Sequence, residues 1–334
     1  MTFPNPSGTR TEPDEETILA VMRLAQRAPS VHNTQPWHWV LADGELHLHT
    51  DPDRMLPAAD PHSRQQVISC GAMLHHVRTV LAARGWHTDI TRLPDPARPD
   101  HLAVLCFRPW PDPPAGIATR AAAIERRRTD RLPLLEPRGW DELLPALRKL
   151  VAPHDLVFEV LEDDAREQLA KVSARATTAR DDDAMYQMEL DWWTGHSGAA
   201  EGVPKTSRVS AAEAARVEVG REFPTVAHSM RRPALTDRAE LVALGSYGDA
   251  TPQWLHTGEA LSAVLLESTA AGLATCPITH VTELPAGRGA VADLLPDRAT
   301  PQVVIRIGTA PAGEPDLPAT PRRPLADILT VHHS

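Results

Sequence analysis

Two short segments of this chain combine side chains that could bind an anion or lie against a planar ring. Residues 28–37 read APSVHNTQPW and join a predicted helix to a predicted strand through a compact turn. The side chains of Ser30 and Asn33 can hydrogen-bond within such a turn, which by itself explains an isolated PSxxN string. The same groups could instead face a ligand, so the pattern alone leaves both interpretations open.

The second segment, residues 126–131, reads RRRTDR at the end of a predicted helix. Cations near a helix C-terminus are favourable, and basic clusters are commonly solvated surfaces. However, several guanidinium groups and a hydroxyl within six residues also suit a phosphate monoester, through charge-assisted bidentate hydrogen bonds. Only three of the 34 basic residues are lysines, so a bound phosphate must be held almost entirely by arginine.

Two further segments lie near the end of the chain. Residues 271–279, AGLATCPIT, follow a predicted helix, and Gly272 would end that helix without any functional role. Cys276 in this segment could have a redox role, although a buried inert thiol is the more common case. Arg322 and Arg323 follow the last predicted strand and a Pro-rich tail, where they could complete an anion site or keep the tail solvated.

The first elements that must position these segments are a helix and a hairpin. The acidic run at residues 14–16 favours a helix N-terminus. The apolar residues that follow at helical spacing are Ile18, Val21, Met22 and Ala25. A DG turn at residues 43–44, between two alternating segments, predicts a β-hairpin with Leu46 and Leu48 facing inward.

A long helix and a second set of elements come next. Residues 63–66 have the capping-box spacing for a helix that stops at Gly85. A Pro-rich stretch at residues 109–114 is typical of a connector. The other predicted elements are strands at 101–107, 156–161 and 302–308 and helices at 118–127 and 141–150. Residues 165–244 are charged and partly helical, which suggests an insertion or a lid.

An internal match links the two parts of the chain. Gly71-x-x-Leu74-x-x-Val77, followed by Ala83-x-Gly85, recurs 187 residues later as Gly258-x-x-Leu261-x-x-Val264, followed by Ala270-x-Gly272. Any two amphipathic core helices share apolar spacing, so chance similarity is the alternative. A repeat of helix-plus-strand halves explains the common offset better.

Taken in order, the four segments resemble the motifs of the nitroreductase superfamily. Residues 28–37 resemble its APSxxNxQPW string, and residues 126–131 resemble RRSxRxF, with Thr129 in place of Ser and Pro133 in place of the aromatic. Residues 272–278 resemble its G-L-G-x-x-x-I loop, with Ala274 in place of the middle glycine. The ending Arg322-Arg323-Pro324 is similar to the basic-basic-Pro termination of that family.

The resemblance implies an α+β fold in which helices surround a central antiparallel or mixed sheet that the extended C-terminal segment closes. It also implies FMN as the cofactor, with the loop against the flavin, the arginines on the phosphate and the 272–278 loop near the reactive ring nitrogen. The implied cofactor contacts are Arg27, Ser30, Val31, His32, Asn33, Arg127, Arg128, Thr129, Arg131, Cys276, Pro277, Ile278, Arg322 and Arg323.

The motifs are divided between two halves, which we expect at residues 1–110 and 115–334. The first half has the PSxxN turn and no Arg-rich string; the second has the Arg-rich string, but Ala152-Pro153-His154-Asp155 replaces its turn. An ordinary member of the family builds two sites across a symmetric dimer. This chain is therefore similar to the single-chain Acg-type branch, a fused pseudo-dimer with one FMN, for which a monomer is favoured slightly over a homodimer.

The implied activity is transfer of electrons from NAD(P)H through FMN to a nitroaromatic, quinone or similar acceptor. No catalytic side chain is implied. The rival hypothesis is a flavin-sequestering storage or stress protein with little NAD(P)H turnover, because residues 192–232 could fold over the flavin as a lid.

Composition excludes several other classes. The net charge of -10 argues against nucleic-acid and anionic-membrane partners. Three separated cysteines without a CxxC pair, and the absence of a long apolar run, predict a cytoplasmic protein. Sixteen histidines raise a metal enzyme as an alternative, but pairs such as His47 and His49 suit structural positions, so no metal site is predicted. No phosphate-binding Walker loop or Rossmann fingerprint occurs.

Overall fold

The computed structural model describes residues 12–195, 201–224, 231–314 and 318–333. The first part of the chain forms two helices and four strands. They are α1 (Glu15–Ala25), β1 (Trp37–Ala42), β2 (Glu45–Thr50), α2 (Arg64–Ala83), β3 (Trp86–Arg92) and β4 (His101–Pro109). None of the helices in the described ranges is long and apolar enough to cross a membrane.

The second part of the chain adds seven helices and five strands within the described ranges. The helices are α3 (Ile117–Arg126), α4 (Trp140–Val151), α5 (Asp163–Asp181), α6 (Ala184–Gly195), α7 (Ala211–Ala214), α8 (Thr251–Ala270) and α9 (Pro285–Ala292). The strands are β5 (Leu156–Leu161), β6 (Glu240–Ser246), β7 (Ala274–Ile278), β8 (Thr300–Gly308) and β9 (Leu329–Val331).

The predicted first helix and hairpin are confirmed. Asp14 caps α1, because its carboxylate accepts the backbone N–H of Thr17 at 3.0 Å. The four apolar positions predicted for this helix are all buried. The hairpin turns at Asp43 and Gly44, which both have positive φ as a two-residue type I′ turn requires, and it buries Leu46 and Leu48 completely.

The predicted capping box of α2 is wrong. Ser63 has the left-handed φ of +57°, and its side chain makes no capping hydrogen bond. The carboxylate of Asp60 takes that role instead, because it accepts the backbone N–H of Gln66 at 2.9 Å. The stop at Gly85 is confirmed, since α2 ends at Ala83 and Gly85 has a φ of +81°.

The strands form two sheets, although one central sheet was expected. The first has the order β3-β4-β2-β1-β9 and is antiparallel except for β9, which pairs parallel to β1. The second has the order β5-β6-β8-β7 and is antiparallel throughout. The C-terminal segment thus adds β9 as an edge strand of the first sheet, beside β1. The predicted insertion at 165–244 extends too far, because the buried strand β6 begins at Glu240.

The two copies of the Gly-Leu-Val pattern form helices α2 and α8, which pack against each other. Both have 20 residues, and their bounds differ by the same 187 positions as the pattern itself. They cross at Gly71 and Gly258, because a Cβ at Gly71 would lie 2.2 Å from the carbonyl oxygen of Leu255. At Gly258 the corresponding distance, to the oxygen of Ile68, would be 2.0 Å. Only glycine permits this separation of the two backbones.

Candidate functional site

A cavity of about 440 Å³ lies between the 28–37 loop, the N-terminal half of α2, strand β7 and the segments 127–131 and 203–223. Its size is within the range of small-molecule sites. Twelve of the fourteen predicted contacts line it. They are Ser30, Val31, His32, Asn33, Arg127, Arg128, Thr129, Arg131, Cys276, Pro277, Ile278 and Arg322.

The loop forms one wall of the cavity and is fixed by its own hydrogen bonds. The hydroxyl of Ser30 accepts the backbone N–H of Gln35 at 3.0 Å. The amide of Asn33 donates to the carbonyl oxygens of Gly202 at 3.0 Å and Pro321 at 3.3 Å, which ties two distant segments to the loop. His32, Asn33 and Gln35 all have positive φ, a strained arrangement that these bonds maintain. Ser30 and Asn33 therefore stabilise the loop, as one interpretation of the sequence expects, and both also line the cavity.

His32 differs from the other loop side chains. Its imidazole is 6 % exposed, and neither ring nitrogen has a hydrogen-bond partner among the described residues. Burial, reinforced by the positive charge of Arg221, lowers the pKa of His32 to about 3. The ring is therefore neutral near pH 7, with one donor and one acceptor on the cavity wall. Phe223 packs edge-on against it, with ring centroids 5.8 Å apart.

A group of arginines is buried at another part of the wall. Arg127 is 6 % exposed and donates through Nη2 to the carbonyl oxygen of Arg27, but its Nε and Nη1 atoms have no partner among the described residues. Burial and the charge of Arg27 lower the pKa of Arg127 to about 10. Burial, followed by the charges of Arg127 and Arg27, lowers the pKa of Arg322 to about 9. Unpaired buried donors beside like charges are costly unless an anion completes the group.

Residues 127–131 reach the cavity because they run beside β7. The backbone N–H of Asp130 donates to the carbonyl oxygen of Thr275 at 2.9 Å, and Thr129 forms a parallel bridge with the same residue. This brings the Arg-rich string and residues 276–278 of β7, a segment that the sequence predicted as a loop, to one wall. Burial raises the pKa of the Cys276 thiol, which favours an inert, protonated side chain.

Two predicted contacts do not line the cavity, and for Arg323 the prediction is wrong. Its guanidinium donates to the carboxylate of Asp51 at 3.0 Å and to the carbonyl oxygens of Gln35 and Asp327. It therefore holds the C-terminal segment against the loop. Arg27 points toward the carbonyl oxygen of Glu125 at 3.5 Å and contributes its own carbonyl oxygen to Arg127.

The sequence did not identify the contacts that hold the covering segment on the cavity. Segment 203–223 contributes a large share of the wall, and Arg221 fastens it. The guanidinium of Arg221 forms an ion pair with Glu283 and donates to the hydroxyls of Tyr186 at 2.6 Å and Thr279 at 3.2 Å. Burial alone would raise the pKa of Glu283, but Arg221 outweighs it and holds the pKa near 2. The ion pair is thus fully charged at neutral pH.

The predicted lid region contained segment 203–223, but nothing in its sequence specified the partners of Arg221. The face of α2 on the cavity was missed for a similar reason. Gln65, Ile68, Ser69 and Ala72 read as ordinary positions of a buried helix, and all four line the cavity. Their exposure to the cavity depends on segments more than 30 residues away in the chain.

Comparison with known proteins gives the chain a family. Residues 9–78 match the model of the nitroreductase family. The Mycobacterium tuberculosis H37Rv protein named "Putative NAD(P)H nitroreductase acg" is 45 % identical over 317 residues, which cover 95 % of this chain and 96 % of that protein. A second protein of that strain, named "Uncharacterized protein Rv3127", is 42 % identical over 93 % of this chain and 92 % of its own length.

A solved structure agrees with the fold. The crystal structure of a "putative nitroreductase" from Anabaena variabilis has a TM-score of 0.51 and 11 % identity, and the match covers 90 % of each chain. At that identity the likeness concerns the fold, which is α+β as the sequence predicted. The sequence identities over nearly the whole length carry the assignment further: this chain belongs to the nitroreductase family.

Proposed function

We propose that this protein is an FMN-dependent oxidoreductase that passes electrons from NAD(P)H to a nitroaromatic, a quinone or a similar acceptor. The observation that carries the proposal is the buried guanidinium of Arg127, with two unpaired nitrogens, beside Arg322 in the wall of a 440 Å³ cavity. Family membership and the names of the M. tuberculosis relatives support an NAD(P)H-linked activity.

The residues of the cavity fit the two ends of FMN. A phosphate would supply acceptors for Nε and Nη1 of Arg127 and would reduce the repulsion between Arg127 and Arg322. Arg27 takes part through its charge and its carbonyl oxygen. Charge-assisted hydrogen bonds of this kind contribute about 1.5–3 kcal/mol each.

The ring end of the cofactor would be held by the loop and by β7. Val31 and His32 line the cavity from the loop, residues 276–278 line it from β7, and Thr129 and Arg131 line it as well. The neutral imidazole of His32 would donate or accept a hydrogen bond there, which would satisfy a nitrogen that is otherwise unpaired. When bound, FMN supplies the electron-transfer chemistry, while the protein binds it, orients it and limits the access of water.

We also propose that the chain consists of two fused halves with one cofactor site, that it functions as a monomer and that it resides in the cytoplasm. The equal length and common offset of α2 and α8 support the fusion. The strand orders support it as well, because β3-β4-β2-β1 and β7-β8-β6-β5 list corresponding strands in the same sequence. A fused pair already contains the interface that an ordinary member obtains by dimerising.

A second candidate function is flavin sequestration with little turnover. The observation that favours it is the attachment of segment 203–223 over the cavity by the buried pair of Arg221 and Glu283, whose side chains are 9 % and 1 % exposed. Because a firmly attached segment would keep NAD(P)H and acceptors away from the ring, this arrangement suits storage as well as catalysis.

The decisive experiment has two readings on one sample. Purified protein, reconstituted with FMN, should contain one FMN per chain by absorbance after desalting; colourless protein that does not bind added FMN would refute both candidates. Anaerobic mixing with NADH and with NADPH then separates them. Rapid bleaching of the flavin supports the oxidoreductase, and slow or absent bleaching, with normal reduction by dithionite, supports sequestration.

A further inference from the structure

A second cavity of about 280 Å³ adjoins the main one, and we call it the annex. The two share a wall, which consists of Arg128, Thr129, Arg131, Ser207 and Val209. The other residues of the annex are Asp130, Leu132, Arg231, Arg232, Ala312, Gly313 and Glu314. The same five side chains therefore line both cavities, so a molecule in the main cavity lies next to the annex.

The carboxylates of the annex are already occupied by one arginine. Arg232, whose side chain is 2 % exposed, donates to Asp130 at 2.9 Å and to Glu314 at 2.5 Å. Arg231 pairs outside the annex lining with Glu213, at 3.2 Å. Both acidic groups of the annex are thus hydrogen-bonded to Arg232, and Glu314 interacts with Arg128 only through its charge, without a hydrogen bond to it.

Two cations of the shared wall remain in excess. Four arginines and two carboxylates line the annex, so its formal charge is positive. Arg131 donates to the carbonyl oxygen of Ser207 and lies over the ring of Phe223, neither of which carries a negative charge. The guanidinium of Arg128 makes no hydrogen bond or ion pair with any residue in the described ranges, and it faces both cavities.

We propose that the annex binds an anionic group, a phosphate or a carboxylate, of the small molecule that exchanges electrons with the cofactor in the main cavity. The proposal rests on the function proposed above, because it assigns the annex to the second reactant. A planar guanidinium on a partly enclosed wall suits both oxyanions. It also separates two roles within the Arg-rich string: Arg127 faces the cofactor, and Arg128 faces the reactant.

The test is an equilibrium titration of the FMN-loaded protein with ligands that cannot turn over, measured by calorimetry. The ligands are NADP⁺, NAD⁺, 4-nitrobenzoate and the uncharged nitrobenzene. The proteins are the native chain, Arg128→Gln, Arg128→Lys and the control Arg126→Gln, which removes an exposed arginine two residues away that lines neither cavity.

We expect Arg128→Gln to lower the affinity for at least one anionic ligand about tenfold, equivalent to about 1.4 kcal/mol, and to leave the affinity for nitrobenzene unchanged. Arg128→Lys should restore part of the loss, and Arg126→Gln should have no effect. The source of the anion follows from the pattern. If only NADP⁺ loses affinity, the annex binds its additional phosphate. If both dinucleotides lose affinity, the annex binds the pyrophosphate, and if 4-nitrobenzoate loses affinity, the annex binds the carboxylate of the acceptor.

Three results would overturn the assignment. The first is equal loss for the anionic ligands and nitrobenzene, the second is no loss or no binding of any ligand, and the third is release of FMN from Arg128→Gln, which would place Arg128 in the cofactor site. The FMN content of the native chain separates this proposal from the one on which it rests. A loaded native protein without charge preference refutes the annex alone, whereas a native protein that takes up no FMN refutes the proposed function.

Discussion

Under the proposed duplication, the main cavity has a counterpart elsewhere in the molecule, and the side chains at the two places differ. Shifting the α2 residues Ser69 and Ala72 by 187 positions gives His256 and Glu259 of α8. The turn Val31–Asn33 precedes β1 just as the turn Ala152–His154 precedes β5. Small side chains thus open the cavity on α2, while large polar ones occupy the corresponding face of α8.

An ion-pair cluster occupies the counterpart. The carboxylate of Glu259 is fully buried and accepts from Arg78 at 2.6 Å and from Arg92 at 2.7 Å. Arg92 stands 187 positions before Thr279, which lines the main cavity. Burial would raise the pKa of Glu259, but Arg92 and Arg78 outweigh it and hold the pKa below its usual value. Under the proposed duplication, the second site was removed by filling it with charge pairs and not by collapse of the fold.

The largest effect should come from breaking that cluster. Glu259→Ala leaves Arg78 and Arg92 beside an empty buried position, and removing one partner of a buried ion pair costs about 3–5 kcal/mol. We expect the free energy of unfolding, measured with urea, to fall by about 3 kcal/mol while the FMN content stays at one per chain.

The matched control for the cluster is Glu267→Gln, on the same helix. Its partner Arg120 is 2.9 Å away, and both side chains are partly exposed, at 23 % and 12 %. Partly exposed pairs contribute about 1 kcal/mol or less. Similar losses of unfolding free energy for Glu259→Ala and Glu267→Gln would contradict the contrast between the main cavity and its counterpart. Release of FMN by Glu259→Ala at normal stability would contradict it as well.

The next effect concerns the main cavity, where a substitution should weaken FMN binding and should not lower the free energy of unfolding. Arg127→Met removes a buried charge with two unpaired donors and keeps most of the packing volume. We expect FMN affinity to fall by about tenfold to a hundredfold, since a charge-assisted hydrogen bond to an anion contributes about 1.5–3 kcal/mol. The apoprotein should be at least as stable as the native apoprotein.

Fluorescence titration with FMN and urea unfolding of both apoproteins measure these two quantities, and Arg126→Gln is the control for total charge. Tight FMN binding by Arg127→Met would exclude this arginine from the phosphate site. A less stable apoprotein would show that Arg127 has a structural role through its hydrogen bond to the carbonyl oxygen of Arg27.

A smaller effect should follow from weakening the attachment of segment 203–223 to the main cavity. Glu283→Gln leaves the buried Arg221 without its negative partner, so segment 203–223 should open more often. We expect anaerobic reduction of bound FMN by NADPH to accelerate about tenfold, in proportion to the lost charge-assisted bond. Stopped-flow absorbance follows the reaction. Lys205→Gln, at an exposed residue of the same segment that does not line the cavity, is the control. An equal rate for Glu283→Gln and the native protein would show that segment 203–223 does not limit access.

The sequence predicted the parts of the site that depend on consecutive residues. The loop at 28–37 and the string at 126–131 are local patterns, and their side chains converge as the resemblance implied. The same locality explains two errors. Residues 63–66 have the complete spacing of a capping box, but the carboxylate of Asp60 caps α2 instead. Arg323 stands next to Arg322 in the sequence, but it forms an ion pair with Asp51, which is far away in the chain.

The remaining parts depend on contacts across long stretches of chain. The pairing of Arg221 with Glu283 spans 62 residues, and the cluster around Glu259 joins elements 167 and 181 residues apart. A signal for the cluster was nevertheless present. Aligning the two helices by their glycines places Glu259, a charged residue, where α2 has the small Ala72, and a buried helix face rarely accepts a carboxylate unless a partner meets it.

The smallest effect is a dependence of stability on pH, and its link to FMN binding distinguishes the two places. His32, on the cavity wall, has a pKa lowered to about 3 by burial, whereas the unfolded chain titrates near 6.5. The unfolded state therefore binds more protons between these values, and the stabilising effect of a neutral His32 is present above about pH 6.5 and is lost as the pH falls. For one such histidine the loss between pH 7.5 and 5.5 is about 1.4 kcal/mol.

His32→Phe should flatten the pH dependence of the unfolding free energy by that amount and also weaken FMN binding. The pKa of the less buried His154 is lowered to about 4 in the same direction, so over this pH range His154→Phe should flatten the curve by nearly the same amount, but it should leave FMN binding unchanged. Urea unfolding at five pH values, with and without FMN, measures both, and equal effects of the two variants on FMN affinity would mean that the cavity wall and its counterpart do not differ in the way described.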